Sequence, residues 1–398
     1  MNATDTVAAP PSRLPHAAPD GLIAAVLLSF LATAGFFYVN IMPAIVSGLV
    51  DGLHFGAREA GWVGSANVYG AVVGALLAVF LSQRLPWRRL AVIALCALIA
   101  IDLLSVAVVT PWPLIATRFA HGVVGGTLVG TASAVIARTS VPERTFGMLL
   151  IVQYGLGGVA LLLLPRLIPV FGSQLLFLVL AAFSVVTLAM LPFLAAYPRR
   201  PVPTNVPAVT EAAARRRGAL LTLALFAVFF FQCGNMALSA YVIELGRAYG
   251  LGLNDISAIL GVAGWLGALG AVLVIVLKLK AGRLRPIVAG LALCSAGMLA
   301  FHYSASAVVF AAASIITAIA WAFGIPYLLG MCASFDRSGR AATFASVFSK
   351  LGLASGPLVA SAFVREGHWP VLVTLATTAL IASMGCALLP AAQLDRAR

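Results

Sequence analysis

Four ionisable side chains lie inside long apolar runs of this sequence. Asp102 lies in "ALIAIDLLSVAV", Arg118 and His121 lie in "PLIATRFAHGVVGG", and Lys350 lies in "FASVFSKLGLASG". Such a group costs about 2.5 to 3.5 kcal/mol when it is inserted into the hydrocarbon of a membrane, so it is a candidate for function. A carboxylate, a guanidinium, an imidazole and an amine in this setting are suited to binding protons and solute ions.

Asp102 and Arg118 are predicted to lie at similar depth on consecutive antiparallel helices. At about 1.5 Å per residue, Arg118 lies about 9 Å from Trp112 and Asp102 about 12 Å from Thr110. We therefore expect the two side chains to pair, with Asp102 able to carry a proton when Arg118 changes partner. A static structural ion pair is the equally weighted alternative. His121, one turn from Arg118, is either a neutral, hydrogen-bonded histidine or a proton relay.

Lys350 is predicted to lie near the middle of its helix, with no acid close to it in the sequence. An anionic solute would keep such an amine charged, whereas backbone carbonyl groups or water could also satisfy it. Arg118, His121 and Lys350 offer three groups able to be cationic against the single acid Asp102. This balance favours an anionic solute such as a carboxylate.

The surrounding elements are predicted to be membrane-spanning helices. The chain of 398 residues is 62% hydrophobic and 9% charged, a balance outside the range of soluble domains. A spanning helix needs about 20 apolar residues, and twelve such runs follow one another. We place them at 21–49, 59–83, 88–110, 112–137, 145–169, 173–196, 218–245, 254–278, 284–303, 306–333, 341–364 and 369–391.

The net charge of +13 reflects membrane topology and not a nucleic-acid partner. With both termini cytoplasmic and twelve spans, 19 of the 25 basic residues fall on the cytoplasmic side and four on the opposite side. The positive-inside rule produces this asymmetry. The excess of arginine over lysine suggests a bacterial genome, so we expect the protein to lie in a bacterial inner membrane. We also expect it to be a monomer.

The chain divides into two halves at its one long polar break. We expect a disordered cytoplasmic tail at 1–20, six helices at 21–197, a cytoplasmic linker at 198–217, six helices at 218–392 and a short tail at 393–398. A shift of 196 or 197 residues aligns Gly64 with Gly261, Arg89 with Arg285 and Gly155 with Gly352. The sequence therefore predicts an all-α membrane fold built from two parallel six-helix repeats.

Several motifs resemble the major facilitator superfamily of secondary transporters over residues 21–391. The stretch "RFAHGVVGG" is similar to the fourth-helix motif of that family, with Arg118 followed by glycines. The stretch "VFLSQRLPWRR" resembles its loop between the second and third helices, although Gln83 stands where the family has an acid. The resemblance makes Gln83, Arg84, Arg88 and Arg89 a cytoplasmic gate, which the missing acid would weaken.

The resemblance also implies a central cavity lined by the first and fourth helices of each half. On this basis the cavity residues are Tyr38, Asn40, Arg118, His121, Gln232, Asn235, Trp321 and Tyr327. The buried charges add Lys350 to this set and make Asp102 and Arg118 the candidate proton-coupling pair. The implied function is alternating-access transport of a small organic solute, with protons as the coupling ion. No proline follows the glycines of "QYGLGGVA", which disfavours drug antiport.

Two other functions are weighed against this prediction. The first is a proton antiporter that expels lipophilic drugs. The second, more remote, is an intramembrane enzyme, which would need paired carboxylates, a metal cluster or an activated nucleophile. The five cysteines lie in separate runs, and the sequence shows no such catalytic set and no metal or cofactor motif.

Overall fold

The computed structural model describes residues 16–140, 142–198, 211–335, 340–364 and 367–396. Every regular element in this part of the chain is a helix, as predicted. The α-helices are α1 (Leu22–Ala34), α2 (Phe37–Asn40), α3 (Met42–Leu53), α4 (Ala57–Arg84), α5 (Trp87–Val106), α6 (Pro111–Ile136), α7 (Pro142–Phe171), α8 (Gln174–Met190), α9 (Glu211–Ser239), α10 (Val242–Ala248), α11 (Leu253–Leu277), α12 (Leu284–Ala300), α13 (Ala307–Ala333), α14 (Arg340–Val364) and α15 (Trp369–Arg396).

Eleven of these described helices are long and apolar enough to cross a membrane. The first predicted run differs, because α1, α2 and α3 share it. The break precedes Pro43, which lies in the first turn of α3 and has no N–H to continue the helix before it. The seventh run is also interrupted, between α9 and α10.

Parts of the segments predicted as tails and linker are helical or pack against the rest of the protein. Residues 16–20, expected at the end of a disordered tail, contact the first half: the Ala17 amide donates to the Phe193 carbonyl at 2.9 Å, and the Tyr197 hydroxyl donates to the Pro19 carbonyl at 3.0 Å. Helix α9 begins inside the predicted linker, and α15 continues to Arg396. Residues 1–15 and 199–210 lie outside the described residues, so the expectation of disorder there stays a prediction.

The helices repeat along the chain at the predicted interval. Helices α4 and α11 begin 196 residues apart, at Ala57 and Leu253, and α6 and α13 begin 196 residues apart, at Pro111 and Ala307. Because each later helix has the same direction as its counterpart, the two halves are parallel repeats.

Helices α4 and α6 pack at backbone distance through glycines. A Cβ added at Gly122 would collide with the backbone carbonyl of Asn67, and one added at Gly70 would collide with the carbonyl of Phe119. Small residues at such crossings allow helices to approach closely. This contact fixes Asn67 on α4 beside Arg118 and His121 on α6.

The halves contact each other through α4 with α14 and through α7 with α11. Helix α4 begins at Ala57 and α14 ends at Val364 on one side of the protein, which we call the distal face. The opposite side, where α15 ends at Arg396, is the terminal face. Near the distal face, Arg247 pairs with Asp51 at 2.7 Å, and the Tyr241 hydroxyl donates to the Ala57 carbonyl at 3.1 Å. These bonds join the second half to the first, so the distal face is closed.

Candidate functional site

A cavity of about 240 Å³ lies between the two halves. It is bounded by the broken helices near Asn40 and Ser239, by α7 and by α13. None of the described residues that line it carries a charge, and most of the wall is apolar. The polar and indole side chains of its wall belong to Asn40, Gln153, Tyr154, Asn235, Ser239, Ser314, Thr317 and Trp321.

Two of these wall residues have polar atoms that are shielded and unpartnered. The Nδ2 atom of Asn40 and the hydroxyl of Tyr154 have no hydrogen-bond partner among the described residues. Buried polar groups are usually hydrogen-bonded, so an unpartnered group in a cavity wall points to a ligand or water. From the other half, the Asn235 Nδ2 atom donates to the Phe231 carbonyl at 2.8 Å, and Trp321 meets Tyr154 edge to face at 6.4 Å.

Asp102 and Arg118 form a fully buried ion pair. The Nη1 atom of Arg118 lies 2.8 Å from Oδ1 of Asp102, and both side chains have 0% exposure. Nη2 of Arg118 donates to the Ile101 carbonyl at 3.2 Å and also to the Ser105 hydroxyl. Oδ2 of Asp102 has no partner among the described residues, so one carboxylate oxygen is left free to accept a proton.

His121 completes this cluster in a defined tautomer. Its Nε2 atom lies 3.3 Å from Oδ1 of Asp102. The Asn67 Nδ2 atom lies 2.8 Å from Nδ1 of His121 and 3.1 Å from the Arg118 carbonyl oxygen. The Arg118 carbonyl can only accept a hydrogen bond, so the Asn67 atom that faces it must be the amide nitrogen. The same amide nitrogen faces Nδ1 of His121, and Nδ1 must therefore accept a hydrogen bond from it. The network therefore assigns a neutral His121 whose proton lies on Nε2.

The Asp102, Arg118 and His121 cluster lies behind the cavity wall. The guanidinium of Arg118 is 4.8 Å from the ring centre of Phe177 and 6.0 Å from that of Tyr38. Tyr38 is 1% exposed, and its hydroxyl has no partner in the described part of the chain. Tyr38, Arg118 and His121 were expected to line the cavity, but in this structure all three are buried and none belongs to the cavity lining.

Gln232 joins three helices of the second half. Its Nε2 atom donates to the Ser349 hydroxyl at 2.9 Å, and its Oε1 atom accepts from the Trp321 indole at 2.7 Å. Gln232 is 2% exposed, so it supports the wall from behind. Asn40, Asn235 and Trp321 are the predicted residues that line the cavity directly.

Lys350 lies one helical turn from the cavity on α14. Leu353 lines the cavity, and residues three apart share a helix face, so Lys350 lies on that face one turn nearer the terminal side. Its Nζ atom donates to the Ser346 hydroxyl at 2.9 Å. Among the described residues it has no carboxylate within ion-pair distance, so the amine is available to an anion that enters from that side.

The remaining predicted residues lie toward the terminal face. The Tyr327 hydroxyl donates to the Lys278 carbonyl at 2.7 Å, within the second half. Arg88 donates to the Leu194 carbonyl and lies over Trp87, within the first half. Arg84 and Arg89 are exposed. The side chain of Gln83 lies outside the described residues.

Sequence reasoning missed Gln153 and Tyr154 on α7, Ser314 and Thr317 on α13, and Asn67 on α4. The signal was available, since each is a polar side chain within an apolar run. Assigning it required knowing which face of each helix points inward. No set of three or more His, Cys, Asp or Glu able to hold a metal occurs in the part of the chain that the structure describes.

The fold and the cavity between its halves define a multi-pass membrane transporter. Residues 25–357 match the family model of the Major Facilitator Superfamily, and the chain belongs to this family. It is therefore a transporter and not an enzyme. No curated protein sequence matches the chain.

Two solved structures share the fold at low sequence identity. The nucleoside transporter NupG is 14% identical with a TM-score of 0.67, and the match covers 94% of this chain and 98% of that one. A bacterial homologue of the human lysosomal transporter Spinster, in an inward-facing and unoccupied conformation, is 12% identical with a TM-score of 0.65, covering 94% and 96%.

Proposed function

We propose that this protein moves a small organic solute by alternating access, with the solute bound in the cavity between the halves. The observation that carries the proposal is the pair of unpartnered polar atoms in the described wall, Asn40 Nδ2 and the Tyr154 hydroxyl. Asn235 and Trp321 face the same space from the other half. Both atoms are shielded in this conformation, so a solute with one or two polar groups and an apolar body would bind them after a side-chain rotation toward the cavity.

The preferred solute is a small organic anion such as a carboxylate. Lys350 supplies a cation without an acidic partner among the described residues, next to an uncharged cavity. Arg118 is neutralised by Asp102, so the anion would bind to Lys350. The mostly apolar wall favours a second candidate, a proton antiporter of lipophilic compounds.

We further propose that Asp102 carries the coupling proton. Its Oδ1 atom is shared by Arg118 and His121, while Oδ2 has no partner among the described residues. A displacement of Arg118 would leave the carboxylate without its main counter-charge and favour proton uptake. The static ion pair stays the alternative, and the full burial of both side chains supports it.

The proposed setting is a bacterial inner membrane with both termini cytoplasmic, and the protein acts as a monomer without nucleic acid. The basic residues near the terminal face support this orientation. In this orientation the closed distal face is the external one.

The test is uptake by purified protein in proteoliposomes under an imposed pH gradient. The panel contains monocarboxylates, aromatic acids, uncharged nucleosides and cationic dyes. We expect accumulation of one of the acids, abolished by a protonophore. Movement of dyes without acids would select the antiporter, and movement of nucleosides alone would exclude the anion.

A further inference from the structure

Glu244 is a carboxylic acid at the distal end of the cavity that the proposed transport mechanism does not use. It lies in α10, two residues after Val242, which lines the cavity. Both of its carboxyl oxygens are shielded from solvent and have no hydrogen bond of normal geometry among the described residues.

The carboxyl group faces the other half of the protein. The Ser47 hydroxyl on α3 interacts with it, and Ser47 lies one turn beyond Pro43, another wall residue. Glu244 and Ser47 therefore meet where the halves close over the distal end of the cavity. Separation of the halves on this side would expose Glu244 to water.

No charged group near Glu244 forms an ion pair with it in the described chain, although Arg247 lies close enough to favour the ionised carboxylate. Arg247, one turn along α10, binds Asp51 of α3 at 2.7 Å and is already paired. The Tyr241 hydroxyl is directed at the Ala57 and Pro357 carbonyls, at 3.1 and 3.4 Å. Within the described chain, a closed distal face thus surrounds a carboxyl group that has no cation of its own.

We propose that Glu244 is a proton-binding site that makes closure of the distal face depend on pH. Enclosing an ionised carboxylate without a partner costs free energy, whereas a neutral carboxylic acid can be enclosed at much lower cost. Closure therefore takes up one proton from the distal water, and opening returns that proton to the same side. By linkage, acid on the distal side favours the closed state and alkali favours the open state.

This inference rests on the proposed alternating access, but its test measures how accessible the cavity is from the distal side and does not measure solute transport. A Ser239→Cys variant, in a background whose five natural cysteines are replaced by serine or alanine, places a thiol in the cavity wall. A membrane-impermeant thiol reagent is added from the distal side at about pH 5 and about pH 8. Ser306→Cys, exposed in a distal loop, corrects for the pH dependence of thiol reactivity.

The measured quantity is the labelling rate of Ser239→Cys divided by that of Ser306→Cys, and we expect this ratio to rise about tenfold from the acid to the alkaline condition. Glu244→Gln should keep the ratio low at both pH values. Asp255→Asn, which changes an exposed distal acid, should retain the rise. The proposal would be overturned if the labelling ratio did not change with pH. It would also be overturned if the Glu244→Gln variant still responded to pH, or if that variant were labelled rapidly at both pH values.

Size-exclusion chromatography checks that each variant is folded. If Glu244→Gln does not fold, Glu244→Ala removes the same titratable group and takes its place. Because labelling needs no solute, an incorrect solute assignment leaves this result unchanged. Loss of labelling at both pH values in every variant would contradict alternating access itself.

Discussion

The hydroxyl group of Tyr241 in the second half lies against Gly61 of α4 in the first half, where no side chain would fit. A Cβ added at Gly61 would collide with that hydroxyl and approach the Pro357 carbonyl. The same hydroxyl donates to the Ala57 carbonyl. A side chain at position 61 would therefore displace the Tyr241 hydroxyl and disturb this contact between the halves.

Gly61→Ala should hinder distal closure and shift the protein toward a state open on that side. We expect distal labelling of Ser239→Cys to increase severalfold and transport to fall, since the closed state becomes less populated. The control is Gly385→Ala on α15, where an added Cβ meets no described atom within 4 Å. Unchanged labelling in Gly61→Ala would show that the contact does not control closure.

Asp102→Asn should abolish proton-driven accumulation and also destabilise the protein. Removing one partner of a buried ion pair leaves Arg118 uncompensated, at a cost of about 3 to 5 kcal/mol. Uptake in proteoliposomes and the thermal unfolding midpoint are measured together. The double variant Asp102→Leu with Arg118→Leu separates the two roles: it should recover stability without proton coupling, and recovery of both would assign the pair a purely structural role.

Lys350→Gln should raise KM for an anionic solute by about tenfold or more, equivalent to about 1.4 kcal/mol of lost binding. Uncharged solutes should be affected little, because they gain nothing from the amine. Lys280→Gln, at an exposed position near the terminal face, is the matched control. Equal effects of Lys350→Gln on charged and uncharged solutes would contradict an anion-binding role.

Asn67→Asp should add a proton to Nδ1 of His121 while Nε2 keeps its proton toward Asp102. A carboxylate at position 67 accepts hydrogen bonds, whereas the Asn67 amide donates to Nδ1 of His121. Carbon and nitrogen chemical shifts of labelled histidine in lipid bilayers report which ring nitrogens carry a proton, and His121→Gln identifies the signal. We expect a protonated Nε2 and a bare Nδ1 in the natural protein, and both nitrogens protonated in the variant. A bare Nε2 in the natural protein would contradict the assigned network.

The sequence was sufficient to predict the helical membrane fold and its two repeats. Apolar runs mark spanning helices whatever their neighbours are, because each must satisfy its own backbone hydrogen bonds in lipid. The break between α2 and α3 agrees with the signal of Pro43, although the first run was counted as one continuous span.

The candidate site was predicted less completely. Counting residues along a helix gives the depth of a side chain in the membrane, but it does not give the direction in which that side chain points. Asp102 and Arg118 were placed at equal depth, and the structure pairs them. However, a count along the chain does not show that neither Asp102 nor Arg118 lines the cavity. Tyr154 was missed for the same reason, since only the packing of α7 against α11 turns its side chain inward.

We propose that solute binds between the halves, in contact with Asn235 and Trp321. The most direct measurement is uptake of the solute found in the proteoliposome screen, compared between the natural protein, Asn235→Leu and Asn254→Leu. Asn254 lies at the exposed distal start of α11 and is the matched control. We predict that Asn235→Leu lowers kcat/KM by at least about tenfold while Asn254→Leu retains it, and full uptake by folded Asn235→Leu would contradict the account.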